Sequence, residues 1–358
     1  MKKVLTIAIV ALLATATLFA GVTFSGNFTG GYVFNWNKDG DFQAKPYGSD
    51  GTDTYDGALN LSVADDNGFW KLGFDYAQKF GAGKAEADFT LNLDKIIAAQ
   101  MEKDLPVTIA LGVGINGRQA GLRAYSNNSG NSFDRIRTAE AGAGNSYESS
   151  FVSLTVGYED LFKVAGAVSP MEINGKRSAV VGALITPVEG IAVSADYVYN
   201  GQIHKGVAGA VDAENLFSAA ADVDIASLID ANFKLGASVA YAYADTTKAT
   251  SQVAATVYGG VDAVEGFVEY AVVLTDAKNT NFLEVGADLN VIDNLALNAY
   301  FGVGDLEAFE DSYFVGATVG YDLAGIGLEL NVEYDTTGKF GYTGVEGFSL
   351  TPSVSVSF

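Results

Sequence analysis

The sequence predicts an all-β chain, a transmembrane antiparallel up-and-down β-barrel, from three observations. The last segment, Gly347 to Phe358 (GFSLTPSVSVSF), puts Phe348, Leu350, Val354, Val356 and Phe358 on one side of an extended strand. Ser349, Thr351, Ser353, Ser355 and Ser357 fall on the other, because side chains alternate with period two along a strand. Segments of the same kind recur roughly every 20 residues, the spacing of a long strand plus its turn. Finally, mean hydropathy is +0.18 although the net charge is −22. That is high for a soluble acidic chain. It is low for a helical membrane protein, and no apolar run of about 18 residues occurs after the first 20. A closed barrel in lipid satisfies every edge and puts half of each strand against lipid, half against water.

The elements follow in order. Met1, Lys2 and Lys3 precede an apolar run, Val4 to Ala20, that ends Leu18-Phe19-Ala20 before Gly21. A basic start, an apolar stretch and a small-residue end are the parts of a cleaved secretory signal. No basic stop-transfer cluster follows, so residues 1–20 read as signal and residues 21–358 as one barrel domain, its mature start near Gly21 or Val22. Thr23 to Asn35 reads as the first strand. Trp70, Leu72, Phe74 and Tyr76 alternate with Lys71, Gly73 and Asp75. Ala85, Ala87, Phe89, Leu91 and Leu93 alternate with Glu86, Asp88, Thr90 and Asn92. The pattern returns at Val152 to Tyr158, Ile191 to Tyr199, Phe233 to Tyr243, Leu283 to Val291 and Leu328 to Tyr334. Phe162 to Ser169 and Ser178 to Thr186 are strands with little contrast between faces. The count is 18, with 16 or 14 if elements merge.

Connections alternate in length as well. Asp65-Asp66-Asn67, Glu159-Asp160, Pro187 to Gly190, Val264 to Gly266 and Asp293-Asn294 are tight turns. Asn37 to Thr54, Asn116 to Asn145 and Gly201 to Glu214 are long and polar. Asp94 to Asp104 and Ala226 to Ala231 look like short helical turns, with Ile96, Ile97 and Met101 on one face. An even strand count puts both termini on the short-turn side. Tyr76, Tyr158, Tyr197, Tyr199, Tyr241, Tyr243, Tyr321 and Tyr334 sit near strand ends, where amphipathic rings prefer a lipid–water boundary.

With its amino-terminal signal and its terminal Phe358 after alternating apolar residues, the chain resembles bacterial outer-membrane β-barrel proteins, and in architecture the general porins. The resemblance implies residence in the outer membrane after export through the periplasm. It also implies a lipid bilayer around the barrel, recognition of Phe358 by the barrel-assembly machinery, a possible homotrimer, and a third long loop folded into the pore.

Composition narrows the function. The chain has 358 residues, 42 Gly, 22 Phe, 18 Tyr and no Cys. It therefore has no disulfide framework and no thiolate metal site. Loss of Lys2 and Lys3 with the signal takes the charge from −22 to −24, which argues against nucleic acid as a partner. If the apolar faces meet lipid, the inward set includes Asp75, Glu86, Asp88, Asp196, Asp222, Asp224, Glu269, Glu284, Asp288, Glu329 and Glu333, against Lys71 and Lys234. Burying so many charges without partners is prohibitive, so the interior is expected to be wet and to favour cations. Four of the five arginines, Arg118, Arg123, Arg135 and Arg137, lie in Asn116 to Asn145, the third long-side connection; the fifth is Arg177. They are expected to fold inward as a constriction and pair with the acidic wall, since guanidinium binds carboxylate bidentately.

Other signals carry less. Gly112, Gly114 and Gly117 spell GxGxxG, but no helix follows, so they read as strand glycines rather than a cofactor loop. His204 is the only histidine, in a long loop without identifiable partners for a metal or a catalytic triad. Asn37, Asp39, Asp41, Asp50, Asp53 and Asp56 make an acidic loop that could take calcium, but Phe42 stands where an EF-hand needs Gly. The expected function is a water-filled channel for ions and small hydrophilic solutes, with no cofactor and no reaction. A structural or adhesive surface protein anchored by its barrel is the alternative. A sugar- or nutrient-specific channel is a further one, for which Phe314, Tyr258 and Tyr300 are the inward aromatic candidates.

Overall fold

A residue alternating with its neighbours across a pleat must put one set of side chains outside a closed sheet and the other inside. A computed structural model describes residues 21–47, 55–79, 82–115, 119–120, 139–141, 151–173, 176–206, 209–245, 250–275, 279–338 and 346–358. Residues 1–20, expected from the sequence to be a signal, and the four arginines at 118, 123, 135 and 137 lie outside these.

The strands are β1 (Val22–Trp36), β2 (Phe42–Tyr47), β3 (Tyr55–Asp65), β4 (Trp70–Lys79), β5 (Ala82–Asn92), β6 (Val107–Ile115), β7 (Gln119–Ala120), β8 (Ala139–Ala141), β9 (Phe151–Tyr158), β10 (Phe162–Ile173) and β11 (Lys176–Val188). They continue with β12 (Ile191–Gly206), β13 (Gly209–Asp224), β14 (Lys234–Asp245), β15 (Thr250–Val261), β16 (Val264–Thr275), β17 (Thr280–Ile292), β18 (Leu295–Val303), β19 (Tyr313–Leu323), β20 (Ile326–Asp335) and β21 (Gly347–Ser357). Two helices, α1 (Leu93–Met101) and α2 (Ile225–Leu228), fall where helical turns were expected.

All strands belong to one sheet, and every pairing is antiparallel. Eighteen close the wall: β1, β3 to β6, and β9 to β21. β21 closes on β1, with Phe28 opposite Val356, and the Phe358 backbone exchanges hydrogen bonds with Gly26 at 2.8 and 3.0 Å. No edge is left in the wall, which is what a lipid environment demands of a sheet.

The outer face is apolar and exposed. Val152, Leu154, Val156 and Tyr158 on β9, Val193 and Tyr197 on β12, Val268 and Tyr270 on β16, and Leu328, Leu330 and Tyr334 on β20 all point out. Of the tyrosines named for the girdle, Tyr158, Tyr197, Tyr241, Tyr321 and Tyr334 are exposed; Tyr158, Tyr321 and Tyr334 lie at or next to strand ends, whereas Tyr197 and Tyr241 lie further inside β12 and β14. Trp36 packs with Phe42 and Phe348, which stands opposite Tyr334, at centroid distances of 5.1 and 5.8 Å.

Two expected loops are partly strand. Residues 201–214 are largely the outer ends of β12 and β13, paired from Gly201 opposite Ala213 to Gly206 opposite Gly209, so His204 lies on a strand. Residues 37–54 contain β2, which pairs with the upper half of β1 while β3 pairs with the lower half. Together β2 and β3 make one wall strand interrupted by an insertion. Asn37 stays in the intervening turn, where its Oδ1 accepts from the Asp39 and Asp41 amides at 3.0 and 2.8 Å. Asp50 and Asp53 lie outside the described residues, and of Asp56 only the backbone is described. Lys38, in the same turn, sits 2.8 Å from Glu346, whose carboxylate raises the ammonium pKa above its ordinary value.

Candidate functional site

The candidate site is the interior of the barrel, and its chemistry is ordered by register. On β13 to β17, Asp222, Ser238, Thr256, Glu269 and Glu284 are successive cross-strand partners and form one row. The Ser238 hydroxyl donates to Asp222, and the Thr256 hydroxyl donates to Glu269 at 3.1 Å. Tyr258 adds a longer bond to Asp222 at 3.4 Å. A second row crosses β14 to β21: Lys234, Gly260, Glu265, Asp288, Asn298, Thr318, Asn331 and Thr351. Lys234 is ion-paired to Glu265. Asn298 donates to Asp288 at 2.7 Å, and Asn331 donates to Thr318 at 2.8 Å.

The inward carboxylates divide by exposure. Glu269 and Glu284 are 0% exposed and stand directly opposite one another; Asp196 is 2%, Asp222 8% and Glu333 1%. Asp335, which the sequence reading did not single out, is also 0%. Asp75, Asp88, Asp224, Asp288 and Glu329 are half-buried or exposed, as are Lys71 and Lys234. Glu86 is opposite Asp75, and only its backbone is described. The interior is therefore not uniformly wet. Asp196, Asp222, Glu269, Glu284, Glu333 and Asp335 are packed, each needing compensation because like charges directly opposite repel and buried ions cost several kcal/mol unless paired. Asp196, Glu269, Glu284, Glu333 and Asp335 all have interaction partners.

Around them the inner wall is built of small apolar residues: Val198, Leu216, Ala240, Ala242, Ala254 and Ala271, between 0 and 5% exposed. Five inward aromatics join them. Tyr258, Phe267, Phe282, Tyr300 and Phe314 are all buried, and Phe314 packs with Phe282 and Tyr300 at centroid distances of 6.3 and 6.1 Å. Sequence reasoning named three of these; Phe267 and Phe282 were missed although they occupy the inward parity of their strands. Gly112 and Gly114 lie within β6, where Phe151 from β9 covers Gly114; Gly117 is outside the described residues.

The third long connection behaves unusually at its described ends. β7 and β8 pair with each other, and β8 adds to β12 at Gly201 to Ile203. The pairing of β11 with β12 ends at Ala179 opposite Tyr199. Asn200, the next residue, is left-handed (φ 51°) and buried, held by reciprocal bonds with Ser178 at 2.6 and 3.2 Å. Beyond that point β12 exchanges β11 for β8 as its partner.

Among solved structures the barrel is similar to OccK9 (OpdG) of Pseudomonas aeruginosa, with a TM-score of 0.58 at 10% identity over 94% of this chain and 97% of that one. It is similar to a BenF-like porin from Pseudomonas fluorescens Pf-5, with a TM-score of 0.55 at 9% identity over 94% and 97%. OpdL of Pseudomonas aeruginosa gives 0.55 at 7% identity over 95% and 99%. No protein-family profile matches the chain, and no curated protein sequence does. At these identities the likeness is one of fold: a closed, wide antiparallel barrel over nearly the full length of each chain.

Proposed function

We propose that this protein is a porin of the bacterial outer membrane, a water-filled channel for ions and small hydrophilic solutes. The observation that carries this reading is the closed wall of 18 strands with an apolar exterior and a hydrogen-bonding interior. A barrel of this strand number leaves room for an aqueous path. The full-length fold similarity to a BenF-like porin supports it. In this reading residues 1–20 direct export, Phe358 is the assembly signal, and the barrel acts without a cofactor or a chemical reaction. A homotrimer is the assembly that the resemblance to general porins implies.

The arginines at 118, 123, 135 and 137 would form the constriction. Buried Asp196, Glu269, Glu284 and Glu333 supply the reason, since guanidinium suits carboxylates in low-dielectric surroundings. Asp75, Asp88, Asp224, Asp288 and Glu329 would then bias the open part of the path toward cations. The packed inner face favours a second reading, a barrel that only anchors surface loops, because it narrows the lumen.

Liposome swelling separates the two. Vesicles carrying refolded protein should swell in small neutral solutes at rates that fall with solute size. The variant with all four loop arginines changed to Gln should alter that size dependence. Vesicles that hold folded protein and do not swell would favour the anchor.

A further inference from the structure

Helix α1, on the short-turn side between β5 and β6, has 9 residues and buries none of them. A helix so short needs an apolar face packed on something, since isolated helices below about 12–15 residues are marginal in water. Its end is nonetheless well formed. Glu102 turns left-handed (φ 51°), and the amides of Glu102 and Lys103 both return to the Ala98 carbonyl. Apolar side chains are among those left uncovered. Ile97 is 39% exposed and Met101 58%, and with Leu93 they recur every four residues along one stripe. Two residues after Leu93, Lys95 lies on the opposite side of the helix, its ammonium over Gly68 in the turn between β3 and β4.

The direction of the stripe follows from the strand that feeds it. On β5, Phe89 and Leu91 stand opposite Leu72 and Trp70 of β4 on the lipid-facing side, and Leu93 is the next residue of that parity. Aromatic pairs flank the helix. Trp70 stacks on Phe89 at 6.4 Å on one side. On the other, Tyr158 stands opposite Val107 at the start of β6 and stacks on Phe162 at 6.2 Å. Trp and Tyr rings mark a lipid–water boundary. Thus α1 leaves the wall at that boundary, and its apolar stripe continues the lipid-facing surface.

We propose that α1 rests on the bilayer leaflet at the short-turn side of the barrel. Leu93, Ile97 and Met101 enter the boundary between headgroups and acyl chains, and Lys95 stays toward water. The partner is a phospholipid surface, and the missing cover of the helix is lipid. Residues 93–104 carry two lysines against three carboxylates, so apolar insertion rather than attraction to anionic lipid makes the contact. This lipid contact lies beyond the barrel wall and is independent of conduction.

Site-directed spin labelling tests it. The chain has no cysteine, so Ile97→Cys, Met101→Cys and Lys95→Cys each give a single thiol for a nitroxide. Leu154→Cys, on the lipid face of β9, is the reference. The labelled proteins are refolded into phosphatidylcholine vesicles. Electron paramagnetic resonance then compares relaxation by oxygen, which collects among acyl chains, with relaxation by a water-soluble nickel chelate. Labels at 97 and 101 should favour oxygen and report a depth of about 5–10 Å, the immersion of interfacial helices. The label at 95 should favour nickel. Nickel favoured equally at all three positions would put α1 in water and overturn the contact. Protection from both reagents at 97 and 101 would overturn it too, because protein rather than lipid would then cover the stripe. With Leu154→Cys favouring oxygen, either result leaves the barrel and the channel reading standing. Nickel favoured at 154 as well would count against the lipid face of the barrel itself.

Discussion

Five glycines define how the inner wall is packed at the scale of single residues. Gly236, Gly286, Gly302, Gly316 and Gly114 stand directly opposite Tyr258, Phe267, Phe314, Tyr300 and Phe151. In each case the ring lies over the glycine, and a Cβ there would overlap ring carbons. The arrangement lets large inward side chains lie flat against the sheet instead of projecting into the lumen. Gly302→Ala should therefore cost about 1–3 kcal/mol, the usual range for overpacking. The effect should couple to its ring. In a double-mutant cycle with Phe314→Ala, urea unfolding in detergent micelles should give a double variant less destabilised than the sum of the two singles. Simple additivity would mean that the ring does not occupy the glycine's space. The pairing also explains why a literal GxGxxG can arise in a strand: Gly114 serves a phenylalanine, and no phosphate enters the account.

At the scale of elements, sequence alternation located strands wherever lipid demands it and failed where lipid does not. β9, β14 and β20 stand where their apolar parity put them, because every second residue must face hydrocarbon. The outer parts of β12 and β13 read as polar loop, since a hairpin continuing past the membrane has water on both faces and no reason to alternate. β2 was hidden for a related reason: an insertion splits one wall strand into two short runs. The seat of the third long connection could not be read at all. It depends on Asn200 turning left-handed and on β8 finding β12 from a distant part of the chain. That pairing is checkable. Glu140 and Gln202 are antiparallel partners, and such partners lie about 4.5–5.5 Å apart at Cα, within reach of a disulfide. The chain has no cysteine, so Glu140→Cys with Gln202→Cys introduces a single thiol pair. It should oxidise to an intramolecular bridge in the refolded barrel, seen as a mobility shift that reductant reverses. Failure to bridge would mean that β8 does not rest on β12.

For the whole molecule, closure is the fact from which the rest follows. The exterior was legible because it answers to one solvent, and the 18-strand count was legible because apolar alternation returns along the wall, although connection lengths do not alternate strictly: helix α1 sits between β5 and β6. The interior was legible only as a list of inward residues. Parity cannot tell a carboxylate lining water from one packed at 0% exposure, such as Glu269 or Glu284, because that depends on what lies across the lumen rather than on the strand carrying it. Sequence therefore overstated how much of the acidic wall is open. The accessible remainder, Asp75, Asp88, Asp224, Asp288 and Glu329, outnumbers the accessible inward lysines, Lys71 and Lys234, and it is the part a permeant ion can meet. The most direct measurement is single-channel current from the refolded protein in a planar bilayer under a salt gradient. Stable conductance steps with a reversal potential favouring cations are the predicted result. Folded, inserted protein that gives no steps would contradict the channel.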